Sequence, residues 1–172
     1  MIFDDVDRKI LRELQKCAVQ SIDELAESIG ETPEYSHERI QLLIGQGVLL
    51  GYHTEIDLAR IGRMVQGLIA VRLRTSANDV VDEFRTWVMN APETVTLFAT
   101  SGAANFFVHM AFPSTDSLYS FVSCELSGRP GVVDARTNVV FEYTKSHVID
   151  PVDHETPRRH RRGENGREMY SA

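Results

Sequence analysis

Six histidines and two cysteines are the side chains with which this chain could bind a metal ion or attack a substrate. No two histidines have the spacing of a helical zinc site, and no cysteine or acidic residue completes a cluster around them. Cys17 and Cys124 are too few for a disulfide framework, so we expect two reduced thiols. The glycines form no phosphate-binding loop. We therefore predict no metal site, no cofactor and no catalytic residue.

A set of hydrogen-bonding side chains lies instead on one side of a predicted helix at residues 32–46. Thr32 can cap this helix, and Pro33 suits its first position. Helical spacing predicts a buried side made of Ser36, Ile40, Leu43 and Ile44. The same spacing also fits an ordinary amphipathic surface helix. If the helix binds DNA, its outward side presents groups that can hydrogen-bond base edges in the major groove: Glu34, Tyr35, His37, Glu38 and Gln41.

Two further helices are predicted before this one. Asp4 or Asp5 can cap the first, and Ser21 with Glu24 forms a capping box that opens the second. Gly30 ends the second helix about two residues before the third begins, which predicts a helix–turn–helix. The strand-like segment GVLLGYHTEID that follows predicts a wing. The polar side of the first helix carries Arg8, Lys9, Arg12 and Lys16.

The pattern changes after residue 63 to apolar, branched segments alternating with helical ones. Strands are predicted at residues 64–73, 94–100, 106–112 and 132–143, with helices after the first and the third. This order is the split βαβ of a ferredoxin-like sheet with both helices on one face, so the fold class is α+β. The other face also carries apolar residues. We therefore expect it to pack on a second copy, giving a homodimer.

Composition divides the chain into four predicted segments. Residues 1–55 form the helix–turn–helix domain, 56–63 a linker, 64–146 the ferredoxin-like domain and 147–172 a disordered tail with a basic cluster at 158–162.

The net charge is −7, and residues 1–60 hold twelve acidic side chains against six basic ones, a poor match for phosphate. No apolar run could span a membrane, and no secretion signal is present, so we expect a cytoplasmic protein.

Short residue patterns in both predicted domains resemble the Lrp/AsnC (feast/famine) family of transcription regulators over roughly residues 4–145. The N-terminal part contributes Asp7 to Leu11, Leu25-Ala26, Ile29-Gly30, Arg39-Ile40, Leu43 and Gly47 to Tyr52. The C-terminal part contributes Pro92, Val95, Thr100-Ser101-Gly102, Pro130-Gly131-Val132 and Thr137. The resemblance implies a DNA-binding helix–turn–helix joined to an effector domain, with domains that pair through their sheets. It also implies dimers that can assemble into rings such as octamers.

The resemblance also implies where partners bind. For double-stranded DNA we expect base contacts from Tyr35, His37, Glu38 and Gln41. Phosphate contacts are expected from Arg39, Arg12 and Lys16, with Lys9 beside them. For a small effector, an amino acid or a related molecule, we expect a site made of Ser101, Gly102, Ala103, Ala104, Asn105, Thr137 and Asn138.

Two departures from the family keep other functions open. The effector turn usually reads Gly-Asp-Tyr-Asp, whereas residues 102–105 read Gly-Ala-Ala-Asn and lack both acids, so the ligand differs or is absent. The recognition helix carries Glu34 and Glu38 with a single strong cation. One alternative is therefore an effector-sensing oligomer that has lost DNA binding. The other is an enzyme similar to the sirohaem decarboxylases, with a tetrapyrrole held by His109, Arg72, Arg74 and Arg136.

Overall fold

The computed structural model describes residues 2–75 and 77–153. These residues form two compact units, one made of residues 2–53 together with 145–153, the other of residues 54–75 and 77–144. We call these the helical unit and the sheet unit. No helix in the described part of the chain is long and apolar enough to cross a membrane.

The helical unit is built from α1 (Asp5–Lys16), α2 (Ile22–Ile29) and α3 (Pro33–Gly45). Capping boxes open α1 at Asp4 and α2 at Ser21, and the left-handed Gly30 ends α2. These short-range signals fix the helix ends, and the predicted helix–turn–helix is confirmed. The helices share one core, made of Ile10, Leu11, Leu14, Leu25, Ile29, Ile40 and Leu43.

Two details of the prediction are wrong, one in α3 and one in the segment that follows it. Ile44 is 45% exposed. At 100° per residue it lies about 80° from Ser36 around the helix, whereas Leu43 lies only about 20° away. The predicted wing is also missing, because residues 46–64 contain no strand. The amides of Val48 and Leu49 instead donate to the Leu43 carbonyl, at 2.9 and 3.2 Å, and close the end of α3.

The sheet unit contains β1 (Val65–Leu73), α4 (Asn78–Asn90), β2 (Thr94–Ala99), β3 (Phe106–Phe112), α5 (Thr115–Ser120) and β4 (Val132–Val140). A π-helical turn at Phe121–Leu126 continues α5. All neighbouring strands are antiparallel, in the order β2-β3-β1-β4. This is the predicted ferredoxin-like arrangement, so the α+β fold class is confirmed.

Strand alternation gives the sheet two different faces. One face packs on α4 and α5 and holds the core residues Ile69, Val71, Phe106, Val108 and Met110. Gly67 lets α5 approach this face, because a Cβ there would lie 3.2 Å from the Leu118 Cδ1 atom. The opposite side, which we call the open face, carries the intervening residues Leu68, Ala70, Arg72, Phe98, Phe107, His109, Asp134, Arg136 and Asn138.

The predicted disordered tail begins too early, because residues 149–153 run along α1. We call this segment the strap. The Ile149 amide and carbonyl both bond the Gln15 side chain, and Asp150 forms an ion pair with Arg12 at 2.7 Å. The composition of the strap predicts disorder, but its polar groups form hydrogen bonds and ion pairs with side chains spaced along α1. The rest of the predicted tail lies outside the described residues.

Candidate nucleic-acid interface and effector cavity

The outward side of α3 presents the predicted base-contacting residues together. Tyr35, His37, Glu38 and Gln41 are all exposed, while Ser36, Ile40 and Leu43 on the opposite side are buried. The Thr32 hydroxyl accepts a hydrogen bond from the Tyr35 amide at 3.3 Å and fixes the start of the helix. Within residues 2–75 and 77–153, none of the four exposed side chains forms a hydrogen bond or an ion pair. They are therefore available to an external partner.

Arg39, predicted to contact phosphate, instead binds two carboxylates within the helical unit. Its Nη2 atom lies 2.7 Å from Asp7 and 2.8 Å from Asp4, and its Nε donates to Asp7 at 3.1 Å. The hydrogen bonding of the Arg39 guanidinium to the Asp7 carboxylate raises the pKa of Arg39 above its ordinary value. The side chain is only 24% exposed. The geometry thus supports a structural role that joins α3 to the start of α1, and it argues against the phosphate role.

The other residues predicted to contact phosphate also form hydrogen bonds or ion pairs within the helical unit. Arg12 holds Asp150 of the strap with three hydrogen bonds, which raises the pKa of Arg12. Lys16 pairs with Glu13 at 2.7 Å, and Lys9 donates to the Ile29 carbonyl at 3.1 Å. Arg8 also bonds the strap, so every Lys and Arg in residues 2–53 has an acceptor within the helical unit. Exposed surface pairs of this kind are weak, so DNA could displace some of them.

A cavity of about 440 Å³ opens on the open face of the sheet, beside the turn between β2 and β3. Its lining is mostly apolar, with charged groups from β1 and β4. The lining residues are Ala70, Arg72, Thr100, Gly102, Ala103, Ala104, Phe107, Asp134 and Arg136.

The predicted effector turn meets this cavity only in part. Gly102, Ala103 and Ala104 line it, whereas Ser101 is exposed and outside the lining. Asn105 is occupied elsewhere, because its side-chain oxygen accepts from the Leu73 amide at 2.7 Å. Asn105 therefore anchors the turn to β1 through its side-chain oxygen, and a contact between its side chain and a ligand stays a prediction.

The side chains of Thr137 and Asn138 point to opposite faces of the sheet, because they are neighbouring residues of one strand. Thr137 pairs with Ile69 on the helix-covered face. Asn138 lies on the open face, where its amide donates to the Leu68 carbonyl at 3.3 Å. Neither lines the cavity. The geometry does not bring them together at this cavity, and their contact with an effector stays a prediction.

The predicted effector site did not include the charged residues that line the cavity. Arg72 of β1 lies directly opposite Asp134 of β4, and Arg136 follows on the same face two residues later. The Arg136 Nε donates to Asp134 at 3.0 Å. The alternation of Asp134 and Arg136 was visible in the sequence, but their position opposite Arg72 depends on strand register. Strand register is set by tertiary pairing.

The residues proposed for a tetrapyrrole do not gather around one cavity. Arg72 and Arg136 line it, but Arg74 and His109 do not. His109 is buried on the open face, 2.8 Å from the Gln66 side-chain oxygen, with the Tyr143 ring 5.2 Å away. Burial lowers the pKa of His109 below its ordinary value. It is a satisfied interior histidine.

The matches to known sequence families cover both units. The pattern of the AsnC-type helix-turn-helix domain matches residues 3–44, and that of the Lrp/AsnC ligand binding domain matches residues 66–149. The HTH-type transcriptional regulator AldR of Mycobacterium tuberculosis is 31% identical over 142 residues, or 83% of this chain and 79% of AldR. This chain belongs to the Lrp/AsnC family. As a member of a family of transcriptional regulators, it is a DNA-binding regulator, which is the predicted function.

Other Lrp/AsnC proteins agree with this placement. The leucine-responsive regulatory protein of Escherichia coli is 30% identical over 83% of this chain and 87% of its own length. A transcriptional regulator from Neisseria meningitidis, solved in complex with L-Met, has a TM-score of 0.80 at 26% identity, covering 89% of this chain and 99% of its own. Escherichia coli AsnC shares the fold, with a TM-score of 0.76 at 22% identity over 88% of this chain and all of its own.

Proposed function

We propose that this Lrp/AsnC regulator contacts base edges with Tyr35, His37, Glu38 and Gln41 of α3. The observation that carries the proposal is their shared exposure on one side of a helix whose other side is buried in the helical unit. Gln41 can form two hydrogen bonds with adenine, and Glu38 can accept from the amino group of cytosine. A homodimer would place two such helices on the two halves of one site, in the cytoplasm where the DNA lies.

Gln41→Ala is expected to weaken binding to the chain's own upstream DNA by about 10-fold to 100-fold, because a two-bond base contact contributes about 1–3 kcal/mol. Binding to an unrelated duplex should change little. Fluorescence anisotropy at two salt concentrations measures both. Gln46→Ala, at the exposed C-terminal end of α3, is the matched control. Equal losses on both duplexes would remove Gln41 from base recognition, and no binding by the unaltered chain at low salt would reject the proposed contact.

We also propose that the open-face cavity binds a small carboxylate with an apolar side chain as effector. Two guanidinium groups and one carboxylate line the cavity, so its charged groups are positive overall. Arg72 makes no ion pair with any residue that the structure describes, so it can receive the carboxylate. The ammonium of an amino acid would have to approach Asp134 between two arginines. A 2-oxo acid lacks that ammonium and therefore fits the charges better than the corresponding amino acid.

Calorimetric titration with leucine, methionine and their 2-oxo acids tests the proposed ligand class. The 2-oxo acids are expected to bind more tightly, and Arg72→Gln should weaken that binding about tenfold or more. Arg74→Gln removes a neighbouring exposed cation outside the cavity lining and should leave binding unchanged. Tighter binding of the amino acids would instead make Asp134 the ammonium acceptor, and equal losses in both variants would exclude the cavity.

A further inference from the structure

The strap follows a single stripe of polar side chains on α1. Arg8, Arg12 and Gln15 are four and three residues apart, so they lie above one another on one side of the helix. Ile10 and Leu14 point elsewhere, into the core of the helical unit. The strap partners of the stripe are, in the same order, Asp153 with the Pro151 carbonyl, Asp150, and the Ile149 backbone. Both arginines of α1 are thereby bound by the strap.

Two carboxylates hold these arginines as phosphates would. Arg12 binds both oxygens of Asp150, with Nε 3.1 Å from Oδ1 and Nη2 2.7 Å from Oδ2. Arg8 donates through Nη2 to Asp153 and through Nη1 to the Pro151 carbonyl, both at 2.7 Å. A guanidinium offers the same fork of N–H groups to a carboxylate and to a phosphate. Each arginine can therefore bind the strap or a phosphate with these groups, but not both at once.

Polar bonds, rather than buried apolar surface, hold the strap on α1. Ile149 and Val152 of the strap are 71% and 69% exposed. The side chains of its two ion pairs are also partly exposed, so dissolved ions and competing anions weaken them. The strap can therefore leave α1 while the apolar core of the helical unit stays folded.

The stripe begins next to the recognition helix α3. Asp4, which caps α1, binds Arg39 of α3 at 2.8 Å. The Arg8 amide donates to the carbonyl of the same Asp4 at 3.1 Å, and the Phe3 amide donates to Asp153 at 3.0 Å. A recognition helix lies in the major groove, and the duplex backbone passes beside it. A duplex bound to α3 would therefore bring phosphates close to this end of the stripe.

We propose that the strap is an autoinhibitory segment. The carboxylates of Asp150 and Asp153 occupy the two arginines of α1 in place of DNA phosphates, and release of the strap frees both arginines to bind the duplex. The inference rests on the DNA contact proposed for α3. Because strap and duplex compete for the same guanidinium groups, each weakens the binding of the other by the same factor. Phosphate contacts carry no base information, so the strap lowers the affinity for all duplexes alike.

Asp150→Asn with Asp153→Asn removes both competing charges. We expect the affinity to rise about tenfold at low salt, which corresponds to a released form that makes up about a tenth of the unaltered chain. The gain should be the same on the upstream DNA and on an unrelated duplex. It should shrink as the salt concentration rises, because salt already weakens the ion pairs of the strap. Fluorescence anisotropy over a salt series measures these changes.

The matched control also replaces two exposed aspartates that pair with arginines. Asp57 pairs with Arg60 and Asp82 with Arg85, all within the sheet unit. Asp57→Asn with Asp82→Asn changes the net charge equally and releases as many arginines, but it should raise the affinity much less. An equal gain in both double variants would overturn the proposal, because general attraction between protein and DNA would explain it.

A further variant tests whether the arginines of α1 carry the gain. Arg8→Gln and Arg12→Gln, added to the strap's double asparagine variant, should abolish the increase in affinity. The slope of log affinity against log salt should become shallower by about 1.8, because two phosphate contacts disappear. The same replacement of the two control arginines in the control variant should change the slope little. A gain that survives the loss of Arg8 and Arg12 would reject them as the masked cations.

Hydrogen exchange of the unaltered chain shows directly whether strap and duplex compete. The Ile149 amide donates to the Gln15 side chain at 2.9 Å while the strap is in place. A bound duplex selects chains whose strap is released, so this amide should exchange faster at saturating DNA. Unchanged or slower exchange would show that strap and duplex bind together, which contradicts autoinhibition.

The outcomes separate this inference from the α3 proposal. If the double asparagine variant gains nothing while the unaltered chain still prefers its upstream DNA, the autoinhibition is overturned and the α3 contact stands. If neither protein binds any duplex at low salt, both are overturned. Binding by the double asparagine variant alone would support the strap as the inhibitor.

Discussion

Arg39→Met is expected to lower the stability of the helical unit by about 2–3 kcal/mol. The substitution leaves the Asp7 carboxylate, whose side chain is only 7% exposed, without its guanidinium partner. Removing one partner of a buried pair costs about 3–5 kcal/mol, and the partial exposure of Arg39 places the effect below that range. Urea unfolding followed by helical circular dichroism measures the loss. The single tryptophan, Trp87, lies in the sheet unit, so its fluorescence should report an unchanged transition there.

Arg12→Met is the matched control for this prediction. Its ion pair with Asp150 has side chains that are 52% and 57% exposed, so solvent screens the pair and its loss should change the unfolding transition little. The double variant Asp7→Asn with Arg39→Met should recover part of the lost stability, since it removes the uncompensated charge. If Arg39→Met proved no more destabilising than Arg12→Met while lowering the salt slope of DNA binding, the original assignment of Arg39 to phosphate would be restored.

Replacing Glu34 and Glu38 together by lysine is expected to raise affinity for an unrelated duplex at least about tenfold at low salt. Both side chains lie on the outward side of α3, where carboxylates repel phosphate. Two new phosphate contacts would steepen the dependence of log affinity on log salt by about 1.8. Preference for the upstream DNA should fall, because Glu38 is one of the proposed base contacts. Anisotropy titrations over a salt series measure all three quantities.

The control for the Glu34 and Glu38 variant makes the same change of charge in the sheet unit. Glu125→Lys with Glu142→Lys alters two exposed acids there. General attraction between protein and DNA would give both double variants the same gain. A larger gain and a steeper slope only for the α3 variant would locate the duplex against α3, and equal gains would exclude that placement.

Local signals in the sequence predicted the elements well. Asp4, Ser21, Thr32 and Gly30 mark helix ends through bonds to residues three or four positions away, so each signal is complete within its own segment. The alternating strands and the spacing of Phe84 and Val88 on α4 carry the same local information. The order of elements then leaves few ways to form one sheet, which explains why the ferredoxin-like arrangement was predicted correctly.

Local signals in the sequence could not predict which residues from distant segments contact each other. Arg39 looked like a free cation because its acceptors, Asp4 and Asp7, lie more than thirty positions away. Arg72 lines the cavity, and the register of β4 places Asp134 directly opposite it. The strap is predicted to be disordered from its composition, and its bonds to side chains of α1 are visible only in the folded chain.

For this regulator, short-range capping and apolar periodicity determined the helices, the strands and the outward residues of α3. The tertiary structure decided which charged side chains remain available and which face the cavity. Charged groups have no periodic signature, since a cation suits an exposed surface, an internal ion pair or a ligand equally well in sequence. Only the folded chain, by bringing acids to α1 and setting the register of β4, distinguishes these roles.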